Sequence, residues 1–166
     1  MTTRTLWVPA IILIIVIVDQ LTKIVVDQTL FLHQSIPVID NFFSLTYIRN
    51  KGAAFGILAN SAATFRLAVL IVFSLVAIGF VISLIRRLPE SERWLTVSLA
   101  FILGGALGNL IDRVWYGEVI DFLDFYWSTF HWPAFNVADS FITVGVVMAL
   151  FRFLRSKGDD PFLFSR

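Results

Sequence analysis

Four long apolar runs divide the chain, at about 6–26, 67–85, 94–111 and 135–154, with stretches of mixed polarity between them. A hydrocarbon core about 30 Å thick is crossed by about 20 apolar residues of helix, so each run has the length of a membrane span. The second carries no charge and is bracketed by Arg66 and the pair Arg86-Arg87. The first holds Asp19, Gln20 and Lys23 in its later half, the third runs into Asp112-Arg113, and the fourth opens with Asn136 and Asp139. A cleaved signal peptide is the weaker reading of the first run. No small-x-small cleavage site follows it, and the helical pattern continues past Asp19 to Asp27.

The connectors differ from ordinary loops. Residues 28–63 are too many for a bare hairpin between helices, and within them Phe42-Phe43-Ser44-Leu45-Thr46-Tyr47-Ile48 is aromatic and β-branched with some polar alternation. A small β-element on the membrane surface is expected there, followed by the turn residues Asn50-Lys51-Gly52. Residues 114–133 carry Trp115, Tyr116, Phe122, Phe125, Tyr126, Trp127, Phe130 and Trp132, the composition of a segment lying among lipid headgroups. The expected fold is therefore an all-α membrane protein: four transmembrane helices, a small outer-face β-element and an interfacial aromatic connector, in one domain over residues 1–166. Only the tail after Lys157 reads as disordered.

Basic residues orient the spans. Arg4, Arg86, Arg87, Arg93, Arg152, Arg155 and Lys157 share one side if the spans alternate, which puts both termini in the cytoplasm and the two long connectors outside. Composition agrees: 58% hydrophobic and 15% charged residues exclude a soluble domain of this size. A net charge of +1 argues against a nucleic-acid partner. With no cysteine and only two histidines, thiol chemistry is excluded and neither a metal site nor a cofactor is expected.

The acidic residues matter by position. With the spans oriented, Asp19, Asp112, Asp121 and Asp139 fall at one level near the outer leaflet, where a carboxylate in apolar surroundings needs a partner or a purpose. Asn109 and Asp112 are three residues apart on one helix, and Asn136, Asp139, Ser140 and Thr143 form a stripe on another. Simpler accounts exist for several of them. Asp19 and Lys23 have the spacing of a structural ion pair, Gly104 and Gly108 that of a helix-packing device, and Asp112-Arg113 would serve as an interfacial cap. Asp121 and Asp124 on an outer connector would ordinarily be solvated; Asp139, early in an apolar helix, is harder to explain away.

Carboxylates, amides, hydroxyls and an arginine remain as tools. Two carboxylates held close cannot both ionise easily, so one keeps a proton while the other stays anionic, the equipment of an aspartyl hydrolase. Local reasoning reaches this class without choosing the pair. Two other classes compete with it: a small proton- or ion-coupled carrier using Asp19, Asp112 and Asp139 as a relay, and an assembly subunit that binds a partner helix through Gly104 and Gly108.

The chain resembles the bacterial lipoprotein signal peptidase (signal peptidase II) family along nearly its whole length. The resemblance rests on Asp19-Gln20-Leu21-Thr22-Lys23, Asn50-Lys51-Gly52-Ala53-Ala54-Phe55, the run from Gly104 to Arg113, Val119-Ile120-Asp121-Phe122 and Phe135-Asn136-Val137-Ala138-Asp139-Ser140. It implies an intramembrane aspartyl endopeptidase that removes signal peptides from diacylglyceryl-modified prolipoproteins, cutting before the lipidated cysteine. It implies Asp121 and Asp139 as the catalytic pair, with Asn50, Gly52, Asn109, Asp112, Arg113, Asn136 and Asp19 binding or orienting. It also implies an inner-membrane enzyme whose partners are prolipoprotein signal peptides; contact with membrane lipids and a monomeric state are expected alongside.

Overall fold

The computed structural model describes residues 4–52 and 62–155. Ala53, Ala54 and Phe55 of the second motif, and the tail expected to be disordered, lie outside the described residues.

Each apolar run is a helix: α1 spans Arg4–Thr29, α2 Ala63–Arg87, α3 Arg93–Tyr116 and α4 Val137–Arg155. All four are long and apolar enough to cross a membrane. α3 is the central one and packs against α1, α2 and α4. It also extends beyond the expected end at 111. The helix stops where Gly117 takes φ 77° and returns its N–H to Arg113 O, a left-handed C-cap. Asp112 and Arg113 thus sit within the last two turns of α3 rather than capping it.

Side chains of small volume let the helices close on α3. A methyl group added at Gly105 would stand 2.3 Å from the carbonyl oxygen of Ala138, one at Gly108 2.5 Å from Asp19 Oδ2, and one at Gly104 2.9 Å from Ile15 Cβ. The packing account of Gly104 and Gly108 therefore holds, and Gly105 is the tightest of the three. Gly105→Ala should lower the thermal midpoint in detergent by the equivalent of about 1–3 kcal/mol, because the obstructing atom is backbone. Gly79→Ala in α2, where the added methyl meets nothing within 4 Å, should leave it unchanged or raise it slightly.

The two connectors build one sheet. Strands β1 (Ser35–Ile39), β2 (Phe43–Asn50), β3 (Val119–Trp127) and β4 (Phe130–His131) lie in the order β1-β2-β3-β4, with antiparallel neighbours. The expected β-element is β2. The aromatic connector, expected as an interfacial segment, supplies its central partner β3, buried along most of its length. β1 carries Pro37 and is exposed throughout, as suits an edge strand. Phe43, Phe125 and Phe135 stack in series with centroids 4.7 Å and 5.7 Å apart, tying the sheet to the start of α4.

Asp124 corrects one expectation. It is not a solvated loop charge but a buried residue of β3, accepting from Thr46 Oγ1 at 3.0 Å and paired with His131 Nδ1 at 2.9 Å. Strand pairing brought it partners that no local spacing announces. Away from the sheet, Val8, Ile78, Ile85, Leu99, Ala100 and Leu103 form an apolar core. Beneath the sheet, Val26, Tyr47, Ile120 and Phe122 form a second.

Candidate active site

Polar residues from each of the five motifs converge at one end of the bundle. Lys23 is the hub. Its ammonium is almost wholly buried and has three acceptors: Asp19 Oδ2 at 2.9 Å, Asp112 Oδ2 at 2.8 Å and Asn109 Oδ1 at 3.0 Å. An ammonium has three protons to donate, so the group is fully satisfied in a place where an unpaired charge would be prohibitive. Gln20 closes the arrangement, its Nε2 reaching Asp112 Oδ1 at 2.8 Å, Asp19 Oδ2 at 3.2 Å and Gly108 O at 3.2 Å. The expected Asp19–Lys23 pair is present, with Asp112 as a second counter-ion that helical spacing alone did not identify.

The two carboxylates also hold backbone. Asp19 Oδ1 accepts the N–H of Ala138 at 2.9 Å, and Asp112 Oδ2 accepts the N–H of Ile120 at 3.2 Å. Ala138 immediately precedes Asp139, and Ile120 immediately precedes Asp121. One buried cation with its two anions thereby anchors both segments that carry the paired acids.

Local chemistry then aims the side chains. Phe135 pairs with Leu123 of β3, which delivers Asn136 beside Asp121 just before α4 begins. Asn136 Oδ1 accepts the N–H of Asp139 at 2.9 Å while Asp139 Oδ2 accepts the N–H of Asn136 at 3.3 Å, a reciprocal capping box. The stripe beginning at Asn136 is thus a helix start, with Asn136 as cap and Asp139 in the first turn. Asn136 Nδ2 lies 2.7 Å from Asp121 Oδ1 and 3.1 Å from Asn109 Oδ1, and Asn109 Nδ2 donates to Asp139 Oδ1 at 2.7 Å. Asn50, at the end of β2, donates to Asp121 Oδ2 at 2.9 Å and accepts the Gly52 N–H at 3.0 Å.

Asp121 and Asp139 are therefore joined through two amide side chains, Asn136 and Asn109, and Asp121 is the more buried of the two. Burial, then the charge of Asp139, pushes the Asp121 carboxyl up to about 7; donation from Asn50 and Asn136 and the charge of Lys23 oppose the rise. Arg113 stands beside the pair on α3. One of its terminal nitrogens donates to Asn109 O at 3.2 Å, while its buried Nε has no partner among the described residues.

The structure thus gathers Asp19, Asn50, Asn109, Asp112, Arg113, Asp121, Asn136 and Asp139 at one end of the bundle, and Gly52 reaches them through Asn50. Lys23 and Gln20 were absent from the expected site, although both lie in the first motif block. No group of His, Cys, Asp and Glu suited to a metal ion occurs among the described residues. Below Lys23 the packed core is apolar, and the buried hydroxyls of Thr96 and Ser98 are spent on the carbonyls of Glu92 and Trp94, so none of these described residues continues a carrier's relay.

A four-span membrane protein in which a buried aspartate is joined through two amide side chains to a half-buried one has the equipment of the intramembrane aspartyl hydrolases. Residues 11–155 match the family model described as Signal peptidase (SPase) II. A lipoprotein signal peptidase of Geobacter sulfurreducens is 51% identical, over 89% of this chain and 91% of its own. One of Geobacter metallireducens is 53% identical, over 85% and 86%. A solved structure described as a bacterial membrane enzyme, determined by the in meso method, superposes with a TM-score of 0.82 at 30% identity, covering 96% of this chain and 94% of that one. The chain belongs to the signal peptidase II family, and is an aspartic endopeptidase of bacterial membranes. That membership leaves the carrier and assembly readings without support.

Proposed function

We propose that Asp121 and Asp139 are the catalytic pair with which this enzyme removes signal peptides from prolipoproteins, cutting before a cysteine that already carries diacylglyceryl. The observation that carries the assignment is the chain of bonds from Asp121 through Asn136 and Asn109 to Asp139, in a member of this family. Burial, then the charge of Asp139, raises the Asp121 carboxyl to about 7, which suits Asp121 to the role of proton donor near neutrality. Asp139 takes a proton from water as its oxygen attacks the scissile carbonyl, and Asp121 protonates the carbonyl oxygen. Asp139 then passes the proton it took from water to the amide nitrogen, and Asp121 takes back the hydroxyl proton as the C–N bond breaks, leaving a new carboxyl terminus and the free cysteine amine.

Asn109 and Asn136 orient the two carboxyls, Asn50 and the Gly52 N–H orient Asp121 from the sheet, and Asp19 and Asp112 hold the backbone beside each acid. Arg113, whose buried Nε has no partner among the described residues, would donate to a substrate carbonyl or lipid phosphate. No cofactor enters this chemistry.

The sheet end faces outward in this reading. Arg86, Arg87, Arg152 and Arg155 occupy the last turns of α2 and α4, at the opposite end. There Arg4 donates to Leu88 O at 2.6 Å, and Arg152 grips Glu92 through two bonds of 2.6 Å and 3.1 Å. Basic residues favour the cytoplasmic side, so both termini are cytoplasmic and the site lies toward the outer leaflet of the inner membrane. The chain acts as a single-domain monomer that meets lipid and substrate in the bilayer, without nucleic acid. A diacylglyceryl-modified precursor peptide incubated with the purified protein should be cut before its cysteine, and the unmodified peptide at least about tenfold more slowly. Equal cleavage of both would remove lipid from the specificity.

A further inference from the structure

A second polar cluster lies at the sheet end, apart from the paired aspartates, and holds the last residues of β2. Arg49 is its centre. Arg49 Nε donates to the Tyr47 hydroxyl at 2.5 Å and Nη2 to Asp27 Oδ1 at 2.6 Å, while the Tyr47 hydroxyl donates to the same Asp27 oxygen. Glu118 Oε1 stands 3.8 Å from Nη1, and the guanidinium lies 4.9 Å from the centroid of the Tyr116 ring. Asp27 comes from the end of α1, Tyr116 and Glu118 from the corner between α3 and β3, and Tyr47 from β2 itself. The Arg49 side chain is 18% exposed, so the planar fork works in a shielded setting rather than in open water.

The cluster sits where strand pairing is least self-sufficient. The register of β2 on β3 shifts between Leu45 and Ile48, so the pairing that sets Ile48 opposite Asp121, Arg49 opposite Ile120 and Asn50 opposite Val119 does not follow from the strand upstream. Directly after Arg49 comes Asn50, whose Nδ2 donates to Asp121 Oδ2 at 2.9 Å. We propose that Arg49 is a positioning residue for the cleavage reaction: by tying the end of β2 to Asp27 and Glu118, it keeps the Asn50 amide aimed at Asp121. The inference rests on the assignment of Asp121 to the catalytic pair.

The charged and polar groups acting on Asp121 are Asn50 from β2, Asn136 and Asp139 from the start of α4, Lys23 from α1 and Arg113 from α3. Those facing Arg49 are Asp27, Tyr47, Tyr116 and Glu118. Asn50 favours the ionised form of Asp121, so loosening β2 lets Asp121 keep its proton to higher pH.

Arg49→Gln and Asp27→Ala in the full-length protein test this, with Asp121→Asn assayed alongside. In both variants kcat should fall about fivefold with KM little changed, and the alkaline limb of kcat should move up by about half a pH unit. The double variant should add little to either single change, and Arg49→Lys should recover part of the rate. A lower thermal midpoint with wild-type kcat and an unmoved limb would overturn the proposal. So would failure of both single variants to fold, which makes the cluster structural alone. Normal cleavage by Asp121→Asn would instead defeat the catalytic assignment, whatever the Arg49 variants do.

Discussion

Asp121→Asn and Asp139→Asn should each insert and fold, and each should cleave a lipid-modified precursor on the order of a thousandfold more slowly than the wild type. The amide is isosteric with the carboxylate, and in either variant its oxygen still accepts from Asn136 or Asn109. The structural loss is confined to one opposed donor, Asn50 at position 121 or the Asn136 N–H at position 139, about 1 kcal/mol each. Chemistry loses far more, because an amide neither takes a proton from water nor gives one to a carbonyl. In the wild type the sign of the pH dependence follows from Asp121. Its carboxyl is raised to about 7, so the protonated form that donates is present below that pH and falls about tenfold per unit above it. An alkaline limb near neutrality is expected, and it belongs to the coupled pair rather than to one group. Rates measured from pH 5 to 9, with a thermal melt of each variant, check both statements; a flat profile or full activity in either variant would defeat the assignment.

Lys23→Met should be the most destabilising single substitution at the site. It leaves Asp19 and Asp112 buried without their counter-ion and removes one donor from Asn109. Breaking one partner of a buried ion pair costs about 3–5 kcal/mol, on the order of 10 °C in the thermal midpoint. The penalty arises from uncompensated charge, so adding Asp19→Asn and Asp112→Asn to Lys23→Met should restore part of it. Both amides keep an oxygen for the N–H groups of Ala138 and Ile120. Thermal unfolding of the single and triple variants in one detergent decides the matter. A midpoint for Lys23→Met within a degree or two of wild type would mean that Asp19 and Asp112 are not both ionised around it.

Much of the architecture is legible in the sequence. Apolar runs of span length become α1 to α4, because in lipid a backbone must satisfy itself and only a helix does so within one segment. Helical spacing likewise anticipates the Asp19–Lys23 pair and the close approach at Gly104 and Gly108, since residues three and four apart share a face. The spacing of Asn136 and Asp139 fits a capping box as well as a polar stripe, and the two reciprocal bonds to backbone N–H groups distinguish them.

What the sequence by itself determined is the set of spans, their facing, and an acid-bearing level at one end of the bundle. Only the tertiary structure decided which groups meet there. β2 and β3 are separated along the chain by α2 and α3, and their pairing buries Asp124 and sets Asn50 against Asp121. The convergence of Asp19, Asp112 and Asn109 on Lys23 likewise depends on how closely α1 and α4 close on the glycines of α3. Periodicity reports the face a residue occupies within its own element. The partner across from it is set by packing between elements far apart in the chain, and in a buried site that partner decides which carboxyl keeps its proton.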